Sequence, residues 1–338
     1  MTLRAFKSRL VRVAAACGGY ALARLLTRRQ PKILMYHHFS EEPQPGHVDR
    51  LAWRAQLAYF KRHHQVMNVA QFMALRARNA LPANALVLTI DDGYRDFYSV
   101  AFPELQRAGL SATLFVSTAF IDAQLWLWPD RLAYLLGQLP AGEHRLAAVG
   151  APQPYCLPAD GGRLAADLKA QLVPLPLAEK YQRLAALAAP FGISLDGPAP
   201  AAFAPCSWDE LRVLQAAGIE IGGHSVNHPI LSAEHDEQVR REIIDCKQRL
   251  DAELGQPVIS FCYPNGEAAD YDVRAKAACR EAGFTSAVAA HHDHLGFGDD
   301  YDLPRYSGSH DMFHVAKVAS GVDYLGRWLA GSKREPQG

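Results

Sequence analysis

The sequence has no excess of charge of either sign. Lys plus Arg and Asp plus Glu both number 35 in 338 residues, with 14 histidines besides. This balance argues against nucleic acid as the main partner, because phosphate-backbone binding leaves an excess of Lys and Arg. There is no C-x-x-C pair either. The six cysteines (Cys17, Cys156, Cys206, Cys246, Cys262, Cys279) are scattered. In a chain of this length they read as reduced, mostly buried apolar residues rather than a disulfide frame, which favours a reducing compartment. No apolar run reaches the roughly 20 residues of a membrane span. No G-x-G-x-x-G follows a strand pattern, and neither a Walker loop nor a G-x-S-x-G occurs. No internal repeat or low-complexity tract is visible. What is present is a chain 49% hydrophobic with a mean hydropathy of −0.11. That suits one large α/β domain or two ordinary ones.

Acidic residues are also missing from the first 40 positions, which carry Arg4, Lys7, Arg9, Arg12, Arg24, Arg28, Arg29 and Lys32. A secretory signal needs an unbroken apolar run of roughly 7–15 residues. Here the run from Val13 is broken by Gly18 and Gly19 and then by Arg24. Ala14-Ala15-Ala16-Cys17 resembles a lipoprotein cleavage site, but the apolar stretch before it is too short. Residues 1–30 therefore read as a basic, partly helical arm packed on the domain, with peripheral contact to an anionic membrane surface as the sharper alternative. The expected location is cytoplasmic, with or without that membrane contact, rather than exported.

From Lys32 onward short apolar runs alternate with longer helical patterns. The strand candidates are Ile33–Tyr36, Val66–Val69, Ala85–Ile90, Ala112–Ser117, Ile219–Ile221, Val258–Tyr263, Thr285–Ala289 and Leu303–Tyr306. Helical stretches cover Leu51–Arg62, Phe102–Ala108 and Ala233–Leu254. Alternation of this kind predicts a parallel sheet, open or closed into a (β/α) barrel of seven or eight strands. Between the strands ending near Ser117 and starting near Ile219 lie far more residues than one helix and two loops require. The excess, about 122–205, reads as a mostly helical insertion beside the barrel mouth, opening with Trp126-Leu127-Trp128-Pro129-Asp130. The two tryptophans suit either stacking on sugar faces or anchoring the insertion.

Barrel chemistry stands where strands end and loops begin. The run Ala85–Ile90 is followed by Asp91-Asp92-Gly93, which is either a plain turn or a pair of carboxylates with different tasks. Ile219–Gly223 runs into His224-Ser225-Val226-Asn227-His228, and two histidines four apart can share one face of a helical turn and hold Zn²⁺. The spacing alone decides little, because a second pair, His310 and His314, is present. Position favours His224 and His228, since they and the two aspartates would meet at one rim, although His310 and His314 also lie past a strand end and stay open as the alternative. One carboxylate and two imidazoles form a three-ligand site with open positions, the hydrolytic pattern. Ile33–Tyr36 likewise ends in His37-His38, and Val258–Phe261 in Cys262-Tyr263-Pro264-Asn265-Gly266.

Together, Thr89-Ile90-Asp91-Asp92-Gly93, His224-Ser225-x-x-His228-Pro229 and the Tyr-Pro-Asn-Gly turn resemble the polysaccharide deacetylase (NodB-homology) group, carbohydrate esterase family 4, over about 31–121 and 206–306. The resemblance implies a distorted (β/α) barrel, here 31–121 and 206–330, that removes N-acetyl groups from an acetylated glycan. It implies Asp92, His224 and His228 as ligands of a divalent metal, Zn²⁺ first and Co²⁺ or Ni²⁺ as alternatives, with Asp91 as general base. Where the family has Arg-x-Pro-Tyr-Gly, this chain has Cys262 in place of the Arg and Asn265 in place of the aromatic. Those departures are similar to a branch with an N-terminal Tyr-His strand, whose histidine is the general acid. That position matches His37, with His38 its neighbour. Arg305 is the candidate to replace the missing Arg, the backbone N–H of Asn265 to hold the oxyanion, and Tyr263 to touch substrate. An O-acetyl esterase or small-amide hydrolase on the same scaffold, and a non-catalytic sugar-binding protein, are the rival readings.

Overall fold

The structure is a computed structural model that describes residues 18–145, 154–292 and 296–329. Residues 1–17, which hold most of the basic arm and Cys17, lie outside the described residues, as do 146–153 of the stretch read as an insertion. Among the described residues no helix is long and apolar enough to cross a membrane.

Eight strands form the main sheet: β1 (Lys32–Tyr36), β2 (Gln65–Met67), β3 (Ala85–Ile90), β4 (Thr113–Val116), β5 (Glu220–Gly223), β6 (Ser260–Cys262), β7 (Ser286–Val288) and β8 (Tyr306–Ser307). Their order is β7-β6-β5-β4-β3-β1-β8, all pairs are parallel, and β2 lies beside the start of β3. Every residue of β1 and β3 is buried, as expected of strands covered on both faces. The two sheet edges meet. β8 pairs with β1, while Leu303, just ahead of it, bridges to Val288 of β7. The ring is thus closed by one short, imperfect seam, which makes the barrel distorted.

Strand alternation sorts the side chains into two cores. Leu34, Leu86, Leu88, Ile90, Leu114 and Tyr263 face outward onto the helices. These are α2 (Arg50–His63), α4 (Phe102–Ala108), α8 (Trp208–Ala216), α9 (Asp236–Leu254), α10 (Val273–Ala282) and α11 (Met312–Ala319), with α1 (Gly19–Leu26) and α3 (Val69–Ala77) preceding their neighbours in the chain. Ile33, Val87, Phe115, Cys262, Val288 and Leu303 fill the lumen. Burial of each such aliphatic side chain stabilises the fold by roughly 1.5–3 kcal/mol. Gly222 on β5 makes the lumen possible, because a Cβ there would stand 2.4 Å from the Phe115 ring.

A second hydrophobic core lies beside the barrel. It joins Trp126, Leu127 and Trp128 to Leu132 and Leu135 of α5 (Trp128–Gln138), Leu164, Leu168 and Leu172 of α6 (Gly161–Leu172), and Leu184 and Leu187 of α7 (Leu177–Ala188). The two tryptophans are only 2% and 1% exposed, and Trp126 Nε1 donates to the Leu195 carbonyl. Both anchor this core; Trp126 is turned wholly into it, while Trp128 borders the cleft but is almost fully covered by its neighbours. α12 (Val322–Leu329) ends the described chain.

Candidate active site

The lumen-facing rows of the strands carry the chemistry. On β1 that row runs Ile33, Met35, His37; on β3 it runs Val87, Thr89, Asp91. One step beyond each strand, the row delivers a polar side chain to the rim. A cleft of about 570 Å³ opens there, lined among others by His37, His38, Asp91, Asp92, His224, His228 and Asn265.

Asp91 and Asp92 part company because the backbone turns between them. Asp91 N still donates to the Tyr36 carbonyl, extending the β1–β3 ladder, whereas Asp92 takes φ +77° and Gly93 φ +91°. Asp tolerates the left-handed region better than most residues, but position 93 needs glycine: a Cβ would meet Val116 Cγ1 at 2.9 Å.

Asp91 is 2% exposed and gripped by Arg305, itself 0% exposed. Two parallel hydrogen bonds of 2.7 Å run from the guanidinium to its two oxygens. Arg305 is fixed in turn by the Ala289 carbonyl, Thr89 Oγ1 and Cys262 Sγ, and lies over the Phe115 ring. Burial alone would raise the Asp91 carboxyl, but the Arg305 charge overrides it and holds the group below its ordinary value. The small thiol at position 262 leaves the space that Arg305 fills from the closing strand. Arg305 also occupies the one donor cluster made of Asp91, His224 and Cys262.

Asp92 faces His224 and His228, with Oδ1 3.3 and 3.2 Å from their Nε2 atoms. All three side chains are buried. His224 Nδ1 donates to the Cys262 carbonyl at 2.7 Å, which leaves Nε2 with its lone pair aimed at the carboxylate. Asp92 Oδ1 has no hydrogen-bond partner although it is buried. Three lone-pair atoms thus converge on one point, an arrangement that a bound cation relieves. Ligands about 2.1 Å from a tetrahedral ion lie roughly 3.4 Å apart, so the donor set fits a borderline divalent metal such as Zn²⁺.

The expected helical turn at 224–228 is absent. Ser225 and His228 both adopt positive φ, +66° and +57°, and the segment is a loop in which His228 N donates to Ser225 Oγ. Glu242 of α9 holds it by accepting from the backbone N–H groups of Val226 and Asn227 and from the Asn227 amide. The loop, not a helix, brings the two imidazoles to a ring separation of 4.8 Å.

His37 is the open member of the site. Its side chain is 43% exposed, with Nε2 3.9 Å from Asp91 Oδ2. His38 turns away to Asp96, Nδ1 to Oδ2 3.0 Å, and stacks on Tyr94. Burial would lower the His38 imidazole, but the Asp96 carboxylate outweighs this and raises it. Asn265 lines the cleft in a positive-φ turn secured by its bond to Asp270. Tyr263 does not reach the cleft, contrary to expectation. Since Cys262 faces the lumen, its neighbour faces the helices, where Tyr263 stacks on Tyr271 and donates to the Tyr301 carbonyl. The rival pair also falls away: His310 is exposed, His314 bonds the Ser307 carbonyl, and neither lines the cleft.

Two groups were not foreseen. One is Glu242. The other is Asp130, the first acidic residue of α5, whose two oxygens both lie 2.8 Å from the Tyr94 hydroxyl beside the cleft. Burial pushes the Asp130 carboxyl up to about 7.

A family model for polysaccharide deacetylases matches residues 78–287. The chain belongs to the polysaccharide deacetylase family. By membership it is a hydrolase acting on an acetylated glycan. Solved structures agree on the fold. A de-N-acetylase from Aggregatibacter actinomycetemcomitans is 16% identical with a TM-score of 0.56, covering 86% of this chain and 99% of its own. The Streptococcus pyogenes deacetylase PplD is 18% identical with a TM-score of 0.54, covering 84% and 94%. IcaB from Ammonifex degensii is 19% identical with a TM-score of 0.53, covering 86% and 97%. No curated protein sequence matches.

Proposed function

We propose that this deacetylase hydrolyses the N-acetyl group of an N-acetylhexosamine within a glycan, with Asp91 as general base and His37 as general acid. The observation that carries the reading is the 3.9 Å approach of His37 to Asp91 in the cleft that Asp92, His224 and His228 also line. The de-N-acetylase from Aggregatibacter actinomycetemcomitans shares the fold, which supports the choice of an amide over an ester.

Asp92, His224 and His228 would hold the divalent ion, with Zn²⁺ preferred by the donor set. When bound there, such an ion supplies Lewis acidity and lowers the pKa of water. The remaining work belongs to the chain. Asp91, kept ionised by Arg305, takes a proton from the attacking water as its oxygen bonds to the acetyl carbon. The backbone N–H of Asn265, at the cleft wall, donates to the oxygen on which negative charge develops. His37 gives a proton to the amide nitrogen, the C–N bond breaks, and acetate and a free amine leave. Without that proton the intermediate returns to substrate.

The even charge balance suits a neutral glycan that needs no electrostatic capture. We take 122–205 to be an insertion that walls the cleft, through Leu132, Ala133, Leu136 and Lys169. A cytoplasmic location, with the basic arm packed on the domain and membrane contact as the alternative, is proposed on sequence pattern alone.

The test is acetate release by the zinc-loaded protein from N-acetylated and O-acetylated hexosamine oligomers. Acetate is expected from the N-acetylated oligomers, with Asp91→Asn and His37→Ala each reducing kcat by roughly 10²–10⁴. Acetate from the O-acetylated oligomers alone would make the enzyme an esterase. None from any N-acetylated substrate would overturn the proposal.

A further inference from the structure

A second histidine and carboxylate cluster stands at the edge of the same cleft. His38 follows β1, His47 lies on the loop between the short paired strands Phe39–Ser40 and Val48–Asp49, and Asp96 precedes a single π-helical stretch, Phe97–Ala101. One donor atom from each lies within 4.8 Å of the others.

The cluster has the residue types of the Asp92 triad in a looser arrangement, with only His38 in direct contact with its carboxylate and the two rings inclined at 34° rather than 72°. Its two imidazole rings are 4.7 Å apart, against 4.8 Å for His224 and His228. Its carboxylate approaches an imidazole nitrogen at 3.0 Å, against 3.2 and 3.3 Å. Both rings are oriented in advance. His47 Nδ1 donates to the Pro45 carbonyl at 3.0 Å, so its Nε2 keeps a lone pair. His38 is clamped against Tyr94 at 3.9 Å between ring centres, and Tyr94 is held by Asp130.

An ordinary His38–Asp96 ion pair accounts for only part of this. It gives His47 no reason to lie against His38. It also leaves Asp96 Oδ1 buried without a hydrogen-bond partner, a cost that native interiors rarely accept. A cation between the three side chains answers both. We propose that His38, His47 and Asp96 form a second divalent-cation site, separate from the one at Asp92, His224 and His228. Two imidazoles and one carboxylate select the same borderline ions, Zn²⁺, Co²⁺ and Ni²⁺. The three residues are half-buried rather than buried, so water completes the coordination and binding is weaker than at the inner triad. The ion staples the 41–47 loop to the barrel. Gly46 of that loop lines the cleft, so occupancy fixes the wall opposite the insertion-side helices.

The experiment counts metal on tag-free full-length protein, stripped with chelator, titrated with Zn²⁺ alone and read by calorimetry and elemental analysis. The parent should bind two ions in two resolvable steps. His47→Ala and Asp96→Asn should each bind one, with the weaker step missing. Asp92→Asn should also bind one, with the tighter step missing, and the Asp92→Asn, His47→Ala double variant none. Circular dichroism shows that each variant is folded, and His47→Gln repeats the test with a side chain closer in size. A parent that binds one ion, or a His47→Ala and His47→Gln pair that both still bind two, overturns the second site. Asp92→Asn that still binds two would instead overturn the inner assignment, so the two failures are distinguishable.

Discussion

Replacing Arg305 by methionine probes the pairing on which the proposed base depends. In the parent, both partners are out of water and joined by two hydrogen bonds of 2.7 Å. Arg305→Met keeps an apolar stem above Phe115 but removes the positive charge. Asp91 then remains 2% exposed, and Thr89 Oγ1 is no remedy because it already donates to the Leu34 carbonyl. Removing one member of a buried ion pair costs about 3–5 kcal/mol. That is a factor of roughly 10² to 10⁴ in the folding constant, against a total stability of about 5–15 kcal/mol.

The pH dependence also shifts. In the parent the folded Asp91 pKa lies below its unfolded value, so the pair contributes stability above the ordinary carboxylate range and loses it as pH falls through the lower folded value. In Arg305→Met burial is opposed only by the charges of His224 and His37, so the folded pKa rises from its parent position and the stability that Asp91 contributes at neutral pH shrinks. Urea unfolding across pH measures both effects, and the acid limb of the rate profile should move to higher pH. The Asp91→Asn, Arg305→Met double variant carries no charge at either of these positions and should be more stable at neutral pH than Arg305→Met alone. Equal stability of single and double variants, or an unshifted rate profile, would refute the reasoning.

Three further outcomes follow from particular contacts. Glu242→Gln puts an amide N–H₂ against donors from Val226 and Asn227, so the 224–228 loop should loosen and zinc affinity at the inner triad fall about 10–100-fold, measured by competition with a chromogenic chelator. Asp130, held at about 7 against 3.8 when exposed, keeps a proton in the folded state that the unfolded chain has lost. Parent stability should therefore fall as pH rises from about 4 to 7, by up to about 4 kcal/mol, and Asp130→Asn should remove that slope in urea unfolding. Gly93→Ala combines a left-handed backbone with a 2.9 Å approach to Val116 and should cost about 2–4 kcal/mol, read as a lower Tm and urea midpoint.

The strands were legible because they are buried on both faces and leave unbroken apolar runs. Ala85–Ile90 coincides with β3, while Val258–Tyr263 overshoots β6, since apolar residues continue into the turn. The inner triad was legible because polar residues follow those runs directly. Tyr263 was misplaced although period-two alternation contained the answer: once Cys262 fills the lumen, its neighbour cannot. The loop at 224–228 was opaque, because two non-glycine residues accept positive φ only when Glu242, far along the chain, ties their neighbours down. Asp130 drew no notice within the motif that opens the insertion, because only its packing against Tyr94 sets it apart.

Arg305 stands 214 positions after Asp91 and immediately before the strand that seals the ring. During synthesis, therefore, the proposed base emerges early and waits for its counter-charge until nearly the whole barrel has left the ribosome. A chain stopped before that strand has both histidines of the donor set and both aspartates, yet its central carboxylate lacks the partner that holds its pKa down. The proposed base is therefore completed only when the last barrel strand is in place.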